Sequence, residues 1–230
     1  MNTIHFIGGE KGGVGKSVFA RLLSQYFIDN KLPYIGLDAD RSHGTLTRSY
    51  KEFTDSIDLD HFESADKIME LVLESQKHLL IDLPAQSERF LDKWIEENDV
   101  IGMCEEMEIK INYWYLVDDS NDCVMLVDKF LKKYNNLLKC IVVKNAGRGK
   151  DFKAIDELIL ANVSEISNHP SQITLPALHT PTMHKIDKLN FSFWGAANVK
   201  ENDKEHLGLM ERQRTKVWIK KSYEQIENSI

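Results

Sequence analysis

The chain has 230 residues, of which 42% are hydrophobic and 28% charged, with 12 Gly and 5 Pro. That globular mix can build a sizeable core, and it excludes a disordered, collagenous or low-complexity chain. Acids outnumber bases 36 to 29, for a formal net charge of −7, so any nucleic-acid contact needs a local basic patch rather than the whole surface.

Thr3–Ile7 is a short β-rich run, followed from Gly8 to Gly15 by a turn that holds five of the 12 glycines. From Ser17 onward, Phe19, Leu22, Leu23, Tyr26 and Phe27 recur at helical spacing, and Asn30, Lys31 and Pro33 end that helix. Tyr34–Leu37 closes a β-loop-α-β unit of parallel type. Residues 41–70 carry a weaker pattern. Lys51–Glu70 has seven acids and two bases, and only Ile68, Leu71 and Val72 read as helical. His78–Ile81 is a strand running into Asp82-Leu83-Pro84. Residues 87–98 predict a helix with Phe90, Leu91, Trp94 and Ile95 inward, and Val100–Met103 predicts a brief strand. Further along, strands are expected at Ile111–Val117, Leu138–Val143 and Gln172–Leu175, and helices at Asp122–Tyr134 and Asp151–Ala161. There is no repeat and no linker. The expectation is one domain spanning 1–230, α/β and doubly wound, with a mostly parallel sheet flanked by helices on both faces and a C-terminal helical segment over about 204–228.

The chemistry concentrates in Lys11-Gly12-Gly13-Val14-Gly15-Lys16-Ser17, set between a strand and a helix. Glycines let successive backbone N–H groups face phosphate oxygens, and the helix adds its positive end. Lys16 would reach the β- and γ-phosphates, and the Ser17 hydroxyl would bind Mg²⁺. The first glycine of the general pattern is replaced by Glu10, and a second lysine, Lys11, follows it.

These residues resemble the deviant Walker A motif, KGGxGK[ST], of the ParA/MinD family of P-loop ATPases. The later motifs follow in the family's order: Asp38-Ala39-Asp40 after the second strand, Leu79-Leu80-Ile81-Asp82-Leu83-Pro84 as a Walker B segment, Val142-Val143-Lys144-Asn145, and Ile173-Thr174-Leu175-Pro176. The resemblance implies ATP bound by residues Gly12, Gly13, Val14, Gly15, Lys16, Ser17 and Val18. It places Asn145 and Pro176 at the base, and Mg²⁺ with Ser17, Asp38 and Asp82. Lys11, Lys16 and Asp40 become the catalytic set: Lys11 crosses to a partner subunit's phosphates and Asp40 handles the attacking water. A GTPase would need an Asp after Asn145, but Ala146-Gly147-Arg148 follows, so ATP is preferred. The family's second Thr is Val18 here, which forfeits a hydroxyl to the α-phosphate. The Tyr113–Ser120 stretch is not typical of chromosome-partition ATPases, and a Gly-Lys-Ser start with a non-Thr follower is more similar to ParA-like proteins of conjugative plasmids and integrative elements. The implied function is a Mg²⁺-dependent ATPase that is a homodimer in its ATP state, acting in plasmid partition, maintenance or conjugative transfer with a ParB-like or mobilisation partner. Two other readings stay open: a small-molecule ligase or kinase of the same superfamily, and an ATP-binding adaptor with little hydrolysis.

The acidic cluster Asp118, Asp119 and Asp122, with Ser120 among it, reads as an Asp/Ser N-cap of the next helix rather than a second metal site or a partner surface, and Trp114 as core. Cys104, Cys123 and Cys140 lack a CxxC pair, so neither a disulfide framework nor a zinc site is expected, and a reducing cytoplasmic setting fits. The N-terminus lacks a basic start with a long apolar run, and no apolar stretch is long enough to span a bilayer, so neither secretion nor a membrane is expected. Arg212–Lys221 carries five bases and no acid. A solvated helix face outweighs nonspecific DNA binding there, and the ending Glu-Gln-Ile-Glu-Asn-Ser-Ile is unlike MinD's membrane anchor.

Overall fold

The structure is a computed structural model that describes residues 2–40, 44–162, 170–200 and 205–230. Its strands are β1 (Thr3–Gly8), β2 (Tyr34–Asp38), β3 (Thr54–Ser56), β4 (His78–Asp82), β5 (Lys110–Val117), β6 (Lys139–Asn145) and β7 (Ser171–Leu175). They form one sheet in the order β3-β2-β4-β1-β5-β6-β7, and every pairing is parallel. Parallel sheets need cover on both faces, which is why their strands read as near-continuous apolar runs. All six residues of β1 are buried, and in β5 only Lys110 is exposed.

The helices are α1 (Lys16–Asp29), α2 (Thr45–Ser49), α3 (Phe62–Ser75), α4 (Glu88–Glu97), α5 (Val100–Glu106), α6 (Asn121–Tyr134), α7 (Lys153–Asn162), α8 (Thr180–Lys188), α9 (Phe193–Asn198) and α10 (Leu209–Glu227). β1 lies mid-sheet, between β4 and β5. From β1 the chain crosses to β2 and β3, returns to insert β4 between β1 and β2, and then adds β5, β6 and β7 on the other side, so a crevice opens where the strand order reverses, at the carboxyl ends of the strands.

Three expectations change. Val100–Met103 is not a strand but the start of α5. Asp99 caps that helix by accepting from Gly102 N at 3.4 Å, and the apolar positions Val100 and Cys104 are buried at helical spacing. A run this short cannot reveal its own period. The 41–70 region gains α2 and the three-residue edge strand β3, which pairs Gly36 with Thr54. The C-terminal helix starts at Leu209, where Glu211 Oε2 accepts from Gly208 N at 2.6 Å; residue 204 lies outside the described residues. Thr215, Trp218, Ser222 and Ile226 then form the buried stripe of α10, which packs on α9 and β7.

Candidate functional site

The glycine loop leaves β1 and enters α1 at the crevice. Gly15 is the N-cap of α1 at φ 102, and a β-carbon there would lie 2.3 Å from the Asn145 amide nitrogen. Only glycine meets both demands. Lys16 is 8% exposed, and its ammonium donates back to the carbonyls of Gly9 (2.9 Å) and Lys11 (3.1 Å). Burial lowers its pKa, while the Asp82, Glu10 and Asp40 carboxylates oppose that shift. A buried cation donating to carbonyls of its own loop can turn toward an incoming phosphate.

Two acids stand at the ends of neighbouring strands. Asp38 and Asp82 are register neighbours on β2 and β4. Asp38 is 2% exposed, and its two oxygens accept main-chain N–H groups from Asp40 (3.1 Å) and Thr47 (3.0 Å). It therefore anchors the turn into α2, and any cation it serves would be reached through intervening water. Asp82 differs: it is 0% exposed, and among the described residues neither carboxylate oxygen has a partner at full hydrogen-bond geometry, the Ser17 hydroxyl being only near enough to favour the anion. Burial pushes its carboxyl up to about 8, against the pull of Ser17 and Lys16 toward the anion. An orphaned buried carboxyl beside the Ser17 hydroxyl suits a hard cation that keeps most of its water and takes few protein ligands. Among the described residues no three His, Cys, Asp or Glu side chains form a ready-made metal cage.

A cavity of about 390 Å³ opens over the loop. Gly12, Gly13, Gly15, Lys16, Ser17 and Val18 line it, as do Asp40 and Thr45. Arg21, Arg48 and Arg148 also line it, none of them a candidate from the sequence alone. Arg21 is 1% exposed. It pairs with Asp187 of α8 at 2.6 Å and lies 4.8 Å from the centre of the Phe193 ring. With Ser24 and Gln25 it forms a polar stripe on α1 that is fully buried. The spacing 21, 24, 25 was a visible signal, but a polar stripe ordinarily faces water. Here Tyr50 and α9 cover part of it: Gln25 Oε1 accepts from Tyr50 OH (3.1 Å) and Trp194 N (2.9 Å).

The expected base contacts are placed less directly. Asn145 is buried; its amide donates to Val14 O at 2.7 Å, and its Oδ1 accepts from Gly147 N at 3.0 Å. It ties the β6 loop to the glycine loop. The Pro176 carbonyl accepts from Trp218 Nε1 at 2.6 Å, bonding the β7 loop to α10. Neither residue lines the cavity, whereas Arg148, three residues past Asn145, does.

Lys11 and Glu10 both reach away from the cavity. The Lys11 ammonium donates to Asp118 Oδ2 (2.8 Å) and Ser120 Oγ (2.7 Å), and its pKa rises chiefly through the Asp118 hydrogen bond. Ser120 caps α6 by accepting from Cys123 N, while Asp119 accepts from Lys150 N at 2.7 Å. The expected N-cap is therefore Ser120, while Asp118 pairs with Lys11 and Asp119 holds the backbone at 150–151. Glu10 Oε1 accepts from Glu88 N at the start of α4, at 2.8 Å. The three cysteines are free and buried, and Trp114 is 0% exposed.

The fold and loop together define a P-loop α/β nucleotide-fold domain with an all-parallel seven-stranded sheet. Its architecture is that of the MinD cell-division ATPases. MinD of Pyrococcus furiosus superposes with a TM-score of 0.57 at 16% identity, covering 99% of each chain. Aquifex aeolicus MinD, from its complex with MinC, gives 0.59 at 12% identity over 100% of this chain and 97% of that one. Pyrococcus horikoshii MinD, complexed with Mg-ADP, gives 0.53 at 13% identity, covering 98% and 97%. Among curated sequences the chain is similar to Protein TraL of Escherichia coli, 29% identical over 116 residues, and to Protein MobD of Acidithiobacillus ferrooxidans, 24% identical over 156 residues. The match spans 46% of this chain and of TraL, and 66% of this chain and of MobD. No protein-family model matches. No helix among the described residues is long and apolar enough to cross a membrane.

Proposed function

We propose that the chain is a Mg²⁺-dependent ATPase of the ParA/MinD type, which forms a homodimer in its ATP state and returns to monomers on hydrolysis. The observation that carries this reading is the pairing of a retracted, buried Lys16 with an orphaned, buried Asp82 across the Ser17 hydroxyl. Such an arrangement leaves an ammonium awaiting a phosphate and a buried carboxyl that a bound cation would draw into its ionised form. Mg²⁺ would neutralise phosphate charge in the transition state. The chain supplies the rest. Loop N–H groups and Lys16 hold the phosphates, Arg48 and Arg148 add positive charge to the cavity, and Asp40 at its wall orients the attacking water. Phosphoryl transfer to water needs little beyond an oriented nucleophile and neutralised charge.

Lys11 is the dimer element of the proposal. In the single chain it is bound to Asp118 and Ser120, so it must leave them before it can meet a partner's phosphates. A partly exposed ion pair costs little to open. The setting we propose is plasmid partition or conjugative transfer in the cytoplasm, with a ParB-like or mobilisation protein as partner; the TraL and MobD likenesses support it. Calorimetric titration with ATP·Mg²⁺, beside light-scattering mass with and without ATP, tests the reading. Binding with a doubling of mass is expected. Binding without dimerisation would favour the ligase or adaptor reading, and no binding would refute the nucleotide site.

A further inference from the structure

The Glu10–Glu88 contact joins two segments 78 residues apart. Helix α4 begins at Glu88, and its N-cap residue, Ser87, makes no side-chain capping bond. The free N–H at the head of the helix is satisfied instead by a carboxylate of the phosphate loop. An anion at a helix N-terminus both fills an orphan donor and meets the positive end of the helix dipole. The Glu88 carboxyl is held from the other side, accepting from Tyr115 OH at 3.1 Å, and Tyr115 is the register neighbour of Gly8 on β1. Helix α4 in turn is strapped to α6: Lys133 pairs with Asp92 (2.7 Å) and Glu96 (2.6 Å), and Tyr134 OH donates to Asp92.

The other half of the observation is Lys16. Its ammonium holds the carbonyls of residues 9 and 11, the two that bracket Glu10. When Lys16 turns to a phosphate, those carbonyls are released and the backbone carrying Glu10 is freed to shift. The segment between β4 and α4 also faces the cavity, through Ala85.

We propose that Glu10, which stands where the general P-loop pattern has its first glycine, is a positioning residue whose carboxylate caps α4 and transmits occupancy of the phosphate loop to α4 and, through it, to α6. This rests on the nucleotide reading above. The test is amide hydrogen exchange of the full chain, wild type, Glu10→Ala and Glu10→Gln, with and without ATP·Mg²⁺, beside steady-state turnover. Gln keeps the acceptor oxygen; Ala removes it. Without nucleotide, the first turn of α4 exchanges about fivefold faster in Glu10→Ala, as for a lost N-cap, and Glu10→Gln restores it. With ATP·Mg²⁺, protection changes at 88–97 in wild type and Glu10→Gln but not in Glu10→Ala. There kcat falls about tenfold while KM stays, the signature of stabilisation lost in the transition state rather than in substrate binding. Wild-type binding with identical α4 exchange in all three proteins overturns the coupling alone. Failure of the wild type to bind ATP·Mg²⁺ overturns the nucleotide reading and the coupling with it.

Discussion

His5, on central β1, is 0% exposed. Trp114 Nε1 donates to its Nδ1 at 3.2 Å, so Nε2 carries the proton and donates to His78 Nδ1 at 3.1 Å. The imidazole is locked neutral: burial first, then the neighbouring His78 and Lys139, lowers its pKa from 6.5 to about 3. In the unfolded chain this histidine gains a proton below its ordinary value, while in the folded chain it does not. Its contribution to stability is therefore full above 6.5 and is lost as the pH falls toward 3. Between pH 7 and pH 5 the loss amounts to about 2 kcal/mol, from about 1.4 kcal/mol per pH unit below the unfolded value. Glu88, pushed up to about 7 by burial, and Asp82, pushed up to about 8, act with the opposite sign, gaining stability as the pH falls. The whole-protein curve mixes these terms. The informative quantity is the difference in urea-unfolding free energy between wild type and His5→Gln, whose amide oxygen still accepts from Trp114 but does not titrate. That difference is expected to be flat above pH 7.5 and to move against wild type by about 2 kcal/mol by pH 5. A difference that stays constant from pH 7.5 to 5 would refute the locked-neutral assignment.

Lys16→Ala is expected to fold with the wild-type circular dichroism spectrum yet lose ATP·Mg²⁺ binding in calorimetry; wild-type affinity would remove the loop from the site. Asp40→Ala retains the loop and so binds ATP, with turnover about 10²- to 10⁴-fold lower in a phosphate-release assay; unchanged turnover would give the water to another group. Asp82→Asn removes an acid whose raised pKa makes it a stability liability as the pH climbs toward 8. The ligand-free variant should melt higher than wild type at pH 8, while its Mg²⁺ requirement in turnover shifts about 10- to 100-fold upward. A lower melting point would mean that Asp82 has a partner in solution.

How much of this was legible in the chain depends on the range of the interactions involved. A strand, a glycine turn and an amphipathic helix are written by neighbours within about ten residues, so β1, the phosphate loop and α1 could be read from steric rules and spacing. The same holds for β4 ending in Asp82, for β5 and for Ser120 as a cap: each is a local pattern of apolar or capping residues. The alternation of those elements implied a parallel, doubly wound sheet, because a crossover helix is what joins parallel neighbours.

What the chain could not declare are the features in which distant residues supply the missing partner. Val100–Met103 is equally apolar as strand or helix, and packing of Val100 and Cys104 chose the helix. The edge strand β3 is three residues long and exists only by pairing with β2. The stripe of Arg21, Ser24 and Gln25 looks like a solvated face until Tyr50, Asp187 and Trp194 arrive to cover or pair with it. Lys11 and Glu10 are adjacent charges in a loop, and nothing local says that one meets Asp118, 107 residues away, and the other caps α4. Buried polar groups demand partners wherever the fold can bring them. That demand is felt only once the sheet has assembled, so the tertiary structure alone decided which charges lean on the cavity and which hold its walls.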